Sequence, residues 1–414
     1  MKKSFDVVII GAGVVGASIA LQAQQSGQRI ALLDRDEPGS GASFGNAGTF
    51  AEYGCTPINN PRLPLSVPGM LLGSESPLSV RWSYLPHLLP WLWQFLMNCR
   101  PERVRAISEA LTGLLSKAEA ATTVLLKKAA AEDLVIHKGC VYICTSESGR
   151  RKNRADLQHR KALGVTARLI SAEEIHDLEP GLEPIYLEGI FFEKARHTID
   201  PQAVVKRLTE RFAADGGTVI CDVATAIEGK AGQSVSVQCG QRNLRCGQLV
   251  MAAGAWSKQF LGTVVESVPL DTERGYHVSF ADGQTLIQRP VGWAEMGFYM
   301  TPMREGLRAA GTVELGGLRL PANEKRLAYI ERNTRRLLPN LGVRTSDWLG
   351  FRPSMPDALP VIGRSVRNQN IIFAFGHQHL GLTLAGITGQ IVARLLNGEA
   401  SLVDICAFSP DRFH

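Results

Sequence analysis

The chain has no C-x-x-C pair, no zinc-type His/Cys spacing, no long basic block, no internal repeat and no low-complexity tract. Without paired or metal-spaced cysteines, its eight (55, 99, 140, 144, 221, 239, 246 and 406) read as reduced, mostly buried thiols of a cytoplasmic protein. The net charge of +6 is spread along the chain, which argues against nucleic acid and leaves a mildly basic surface for anionic substrates or a membrane face. No uninterrupted apolar stretch is long enough to span a bilayer. Met1-Lys2-Lys3 and the following apolar run mimic a secretory leader, but Asp6 interrupts them and no cleaved signal is expected. With 45% hydrophobic and 20% charged residues, 414 residues suffice for two sizeable cores.

What is present begins at Phe5-Asp-Val-Val-Ile-Ile-Gly-Ala-Gly-Val-Val-Gly16. Val7–Ile10 is β-branched throughout, as in a strand buried on both faces. Gly11, Gly13 and Gly16 follow in G-x-G-x-x-G spacing, then a helical stretch over 14–26, then an apolar run ending at Asp34. Gly11 permits the tight turn, Gly13 lets a pyrophosphate approach the backbone, and Gly16 lets helix pack on strand. The helix N-terminus, with Val14 and Val15, offers N–H groups and partial positive charge to phosphate. Asp34, 23 residues after Gly11, is placed to accept from an adenosine ribose, with Arg35 beside it. Pro38–Gly48, with four glycines and two serines in eleven residues, is a loop of exposed backbone donors suited to a cofactor.

Seven prolines break residues 57–90, which read as irregular. Trp82–Met97 is dense in Trp and Leu. It suits a membrane interface or, preferably, internal packing, with Pro86 and Pro90 interrupting any long helix. Residues 101–132 read as one amphipathic helix burying Leu111, Leu114, Leu115, Val124 and Leu125. Strands are expected at 139–145, 218–221, 249–253 and 371–375, and antiparallel sheet over 268–316. A capping box at Ser171-x-x-Glu174 opens a short helix, Asp200-Pro201 opens another to about Asp215, and helices follow at 322–338 and 382–396. The alternation implies a nucleotide-binding domain from 1–58, 168–258 and 350–414, with 59–167 and 259–349 forming a second, inserted domain.

Gly11–Gly16, Ser43-Phe-Gly-Asn-Ala-Gly48, Ala253-Gly-Ala-Trp256, Gly350-Phe-Arg-Pro-Ser-Met-Pro-Asp357, Leu359-Pro-Val-Ile-Gly363 and Gly376-His-Gln-His-Leu-Gly-Leu-Thr383 occur in that order. Over nearly its whole length the chain resembles the FAD-dependent amine oxidoreductases of the D-amino-acid oxidase/dehydrogenase superfamily. Thr272–His277 and the His-rich C-terminal turn are similar to bacterial D-amino-acid dehydrogenases, most of all the D-proline or hydroxy-D-proline branch. The resemblance implies an α/β fold: a Rossmann-like FAD-binding domain with an inserted α+β substrate domain on an antiparallel sheet. It implies pyrophosphate at Gly11, Gly13 and Gly16, ribose at Asp34, and flavin beside Ser43, Asn46, Ala47 and Gly48. Ala253, Gly254 and Trp256 would close over the cofactor, and the Gly376 turn, with His379, Leu380, Gly381, Leu382 and Thr383, would meet the flavin. No cysteine stands in a matching context for covalent attachment, so FAD is expected to be non-covalent.

The reaction implied is hydride removal from substrate Cα to the flavin, giving an imine. Arg352, in the Gly-Phe-Arg-Pro motif, is the candidate for gripping the substrate carboxylate through its planar fork. Tyr276, His277, Tyr299 and His379 are candidate pocket residues, Tyr53 a further one; His137, His159 and His176 read as surface residues. The electron acceptor is left among oxygen, a quinone and a partner flavoprotein. Two other readings stand: an NAD-dependent dehydrogenase, for which Asp34 argues, and a non-catalytic electron-transfer flavoprotein subunit using 82–97 as a contact.

Overall fold

The computed structural model describes residues 3–24, 27–61, 63 and 76–414. The end of the first expected helix at 25–26, and residues 62 and 64–75 of the proline-broken stretch, lie outside the described residues. Two large sheets organise the rest. In the first, Thr218–Cys221, Ile30–Asp34, Lys3–Ile10, Arg242–Met251 and Ile371–Phe375 lie side by side and parallel. Arg242–Met251 is shared: its first half pairs antiparallel with Val235–Cys239 and its last residues pair with Ile371–Phe375.

The β-branched run Val7–Ile10 explains why the strand Lys3–Ile10 is central. Val7 and Ile9 enter the core beneath the helices, and Val8 and Ile10 enter the core on the opposite face. Helices Val14–Ala23 and Gly381–Leu396 cover the first face together. The segment Gln378–Leu396 is by length and composition apolar enough to cross a membrane, contrary to the reading of the sequence, but 67% of it is buried inside the protein.

The second sheet has nine strands and is mostly antiparallel. Its path runs from Arg344–Ser354 through Asp271–Phe280, Gly306–Leu315, Phe298–Met303 and Val291–Trp293 to Cys140–Cys144, Glu188–Phe192 and Arg168–Ser171. The last two strands depart from the sequence-based division, which put 168–258 with the nucleotide half. They pair antiparallel in register with the second sheet, Glu188–Phe192 along Cys140–Cys144 and Arg168–Ser171 beyond it, with Ile170 and Ile190 buried on its opposite faces.

Three local expectations change. The helix over 101–132 is two helices, Pro101–Leu115 and Ala118–Lys128. Thr112 and Ser116 hydroxyls bond back to the carbonyls of Ser108 and Gly113, loosening the junction. Leu111, Leu114, Leu115 and Leu125 are buried, but Val124 is 63% exposed. The helix Leu85–Met97 runs through Pro90, because burial of Leu88, Trp91 and Phe95 beneath it offsets the lost backbone bond. Its other face exposes Leu89 and Trp93, with Trp82 just before it. The expected strands, capping box and Asp200 cap are otherwise present. All eight cysteines are unpaired.

Gly386 marks a close helix–helix approach: a Cβ there would stand 2.7 Å from the Thr122 backbone nitrogen. Gly386→Leu should therefore cost about 3 kcal/mol of stability, read as a lowered thermal midpoint.

Candidate functional site

A cavity of about 700 Å³ opens between the two sheets. One end is formed by the turn after Lys3–Ile10. Gly11 has φ +106°, and a Cβ on it would meet Ala252 backbone atoms at 2.4 Å. A Cβ on Gly16 would clash with the Gly11 carbonyl oxygen at 1.8 Å, so helix and turn touch there. Gly16 is thus a packing residue behind the cavity wall, whereas Gly11, Gly13, Val14 and Val15 line the cavity itself. Gly13 is the open position: the nearest obstacle to a Cβ is Ser43 Oγ at 3.3 Å. Ser43 Oγ also accepts from Val14 N–H at 2.9 Å, leaving the following N–H groups of the first turn outside the intrahelical ladder.

Asp34 does more than the sequence implies. Its Oδ2 accepts from Ala12 N–H at 2.6 Å and its Oδ1 from Asp36 N–H at 3.2 Å, so it ties the glycine turn to its own strand end while lining the cavity. Arg35 lies 4.2 Å over the Trp256 ring, and both line the same end with Ala253 and Gly254.

The loop Ser43–Gly48 is fixed by its carbonyls. Ser43 O accepts from Asn46 Nδ2, Phe44 O and Asn46 O from Arg308, Gly45 O from His277, Ala47 O from Thr301 and Gly48 O from Thr198 N–H. The N–H groups of Gly45, Asn46 and Ala47 have no acceptor among the described residues, and all three residues line the cavity, as do Ser43 and Gly48. This donor-rich strip, with open Gly13, fits a phosphate-bearing, electron-rich cofactor.

His277 is not a pocket residue. Its Nδ1 meets a carbonyl, so it carries the proton; the ring stacks on Trp348 with centroids 5.4 Å apart. Burial, helped by Arg308, pushes its pKa down to about 3. Trp348 in turn fits only because Gly45 and Gly350 carry no Cβ: each would meet the indole at about 2 Å.

At the other end the second sheet supplies the charge. Arg352 lies opposite Glu273 in register, and its guanidinium covers Gly275, where a Cβ would stand 2.4 Å from Nη2. The register of Gly306–Leu315 shifts at this point, leaving a bulge opposite Gly275. Thr312 there has φ +55°, a strained value for a β-branched residue, and its carbonyl accepts from Arg352 Nη1 at 2.9 Å. Gly311 O accepts more weakly from Nη2, at 3.4 Å. A guanidinium has five N–H donors, so some remain for a ligand. Burial lowers the Arg352 pKa and Glu273 opposes that; burial likewise raises Glu273 against the pull of Arg352.

His379 lines the cavity with part of its surface exposed; desolvation by the surrounding protein, then Arg352 and Arg160, push its pKa down to about 4. Tyr299 lines the cavity with its hydroxyl 3.3 Å from that of Tyr53. Tyr276 also lines it, but its hydroxyl donates to Glu314 at 2.9 Å and its pKa rises to about 12, chiefly from burial, so the hydroxyl is committed elsewhere. Gly381 and Leu382, at the start of the C-terminal helix, line the cavity. Gly376, Leu380 and Thr383 do not: Gly376 turns at φ +83°, Leu380 is buried, and Thr383 Oγ1 accepts from Ala51 N–H at 2.9 Å.

The sequence reading missed Trp348, Glu273, Tyr142 and Arg160, all of which line the cavity. Strand-interior glycines were the available signal. Gly275, Gly292, Gly311 and Gly350 sit mid-strand without a turn, and each abuts a cavity-side ring, guanidinium or backbone.

Fold and site together define a dinucleotide-binding flavoprotein oxidoreductase. A family model for FAD-dependent oxidoreductases matches residues 6–395, and the chain belongs to that family. It is 36% identical to a D-amino-acid oxidase of Bradyrhizobium diazoefficiens, covering all of both chains. It is 27% identical to a D-amino acid dehydrogenase of Vibrio atlanticus over 96% of this chain and 97% of that one. Among solved structures, glycine oxidase from Geobacillus kaustophilus superposes with TM-score 0.74 at 19% identity, covering 99% and 98% of the two chains. L-proline dehydrogenase from P. horikoshii gives 0.75 at 16%, covering 100% and 98%. The cofactor is therefore FAD, and the NAD-dependent reading falls.

Gly13→Val should fill the open approach to the backbone and lower FAD affinity about tenfold or more, read from flavin absorbance per chain. His277, His377 and His379 have folded pKa values of about 3, 4 and 4, below the unfolded 6.5. Between those limits the unfolded chain binds more protons, so stability falls as pH drops. Thermal melts at about pH 7 and about pH 5 should show the lower midpoint at the lower pH.

Proposed function

We propose that this protein is an FAD-dependent D-amino-acid oxidoreductase, oxidising the Cα–N bond of its substrate to an imine that water hydrolyses. The observation carrying this reading is the half-buried Arg352 guanidinium, held over Gly275 by two backbone carbonyls with further donors to spare beside the cavity. A planar fork in that setting suits a carboxylate, gripped by two parallel charge-assisted bonds. The relatives named above support an amino acid, and the D-configuration rests on those in sequence.

FAD, when bound, supplies the acceptor for the hydride leaving Cα. The chain supplies position and a controlled field. Arg352 fixes the carboxylate and thereby the orientation of Cα. Glu273 partly balances Arg352, so the site is not left with an uncompensated buried cation before substrate enters. His379, uncharged near neutrality, adds hydrogen-bonding capacity without repelling Arg352. Tyr299 and Tyr142, with ring centroids 5.3 Å apart, form an apolar wall beside them. No cysteine lines the cavity among the described residues, which supports non-covalent FAD.

Anaerobic mixing with D-alanine, D-proline, hydroxy-D-proline, sarcosine and glycine should bleach the flavin with at least one D-amino acid; a flavin that stays oxidised with all of them contradicts the reading. Adding oxygen or a quinone analogue to the reduced protein then separates oxidase from dehydrogenase behaviour. Arg352→Ala should keep FAD while raising KM by about 100-fold, the loss of a charge-assisted pair. Unchanged kinetics would remove Arg352 from the site.

A further inference from the structure

The sequence allows Trp82–Met97 either internal packing or an outward contact, and its helix has one face for each. Leu88, Trp91 and Phe95 turn inward and cluster with Cys99 and Leu315. Leu89, Trp93 and Leu96, spaced i, i+4 and i+7, form a stripe on the other face, and all three are exposed. Trp82, in the short turn leading into the helix, is 67% exposed and Trp93 64%. Single apolar residues on a surface are ordinary; two tryptophans and two leucines on one short segment form a patch.

The border of this patch is cationic. No charged side chain occurs from 82 to 99, and residues 81–109 hold four arginines against two glutamates. Arg100 lies against the stripe, its Nη2 donating to Met97 Sδ at 3.3 Å. Arg103 donates to Asn98 Oδ1 at 3.1 Å and, with Trp93 and Met97, lines a surface groove of about 500 Å³. Arg412, also in that groove, is balanced by Asp357 at 2.7 Å. Near the start of the helix, Arg319 extends from a loop packed on Tyr84, whose ring a Cβ on Gly317 would meet at 2.6 Å. Arg100, Arg103 and Arg319 are exposed and enter no ion pair among the described residues.

We infer that this face docks on an anionic phospholipid bilayer, with Trp82, Leu89, Trp93 and Leu96 entering the boundary between headgroups and acyl chains and the three arginines meeting lipid phosphates. Indole suits that boundary, being an apolar ring with one polar N–H. A helix lying in the interface plane with cations at its border gains from apolar burial and from attraction to anionic lipid together. A second copy of the chain fits less well, because a two-fold contact through the stripe brings like-charged borders together. The strand Leu78–Val80, just ahead of Trp82, pairs with Val313–Leu315, next to the Thr312 carbonyl that holds Arg352, so the docking face adjoins the reaction end. The inference concerns where the protein sits and does not depend on which amino acid it oxidises.

The test is co-sedimentation of the full, flavin-loaded chain with vesicles of phosphatidylcholine alone or mixed equally with phosphatidylglycerol. The wild type should pellet with the mixed vesicles, bind the neutral ones at least tenfold more weakly, and detach from the mixed ones as salt is raised. Leu89→Ser combined with Trp93→Ser should weaken binding to the mixed vesicles about tenfold or more. Arg100→Gln combined with Arg103→Gln should weaken it about tenfold while leaving binding to neutral vesicles unchanged. Flavin occupancy reports that each variant is folded. A wild type that stays in the supernatant with mixed vesicles, or binding unmoved by either pair of substitutions, overturns the inference. If the wild type fails to bind, a dimer in sedimentation velocity that the Leu89 and Trp93 substitutions abolish assigns the face to a second copy instead.

Discussion

The structure depends on one arrangement: the short loop Ser43–Gly48 is held by its carbonyls from outside, so that its amides face inward. Arg308, His277 and Thr301, all on the second sheet, make most of those bonds. The loop itself follows directly from the strand Ile30–Asp34 of the first sheet. The cofactor-facing surface is therefore a product of both halves, and neither half presents it alone. His277 shows why burial matters here: as a ring uncharged near neutrality it donates through Nδ1 and adds no positive charge next to the loop.

Arg352 obeys the same logic. An arginine head buried without partners would be costly, and a full ion pair would leave it little to offer a ligand. The bulge opposite Gly275 avoids both outcomes by freeing two carbonyls to meet the guanidinium. The left-handed Thr312 is the strained residue that makes the bulge, and the missing side chain at Gly275 is the space the arginine occupies. Strain, a glycine and an arginine from three strands form one device.

What was legible in the sequence was local. The G-x-G-x-x-G turn, the capped helices, the glycine-rich loop and the Gly-Phe-Arg-Pro strand each declare themselves within a few residues, and the parallel sheet follows from the β-branched run Val7–Ile10. Illegible were relations between distant segments. Nothing near Trp348 indicates that Gly45, some three hundred residues earlier, makes room for it. Nothing in 168–192 distinguishes strands of one sheet from strands of the other, because central strands of both sheets are buried on both faces. Proximity in sequence to conspicuous neighbours suggests pocket roles for both His277 and Tyr276; the Gly45 carbonyl holds the His277 ring outside the cavity, whereas Tyr276 lines it with its hydroxyl bonded to Glu314.

The helix Gly381–Leu396 and the strand Ile371–Phe375 complete the first sheet from the far end of the polypeptide. On the ribosome, the opening strand and its glycine turn must wait until almost everything else has been synthesised before their apolar face is covered. That long-range closure makes biosynthesis a late, concerted event rather than one half maturing before the other.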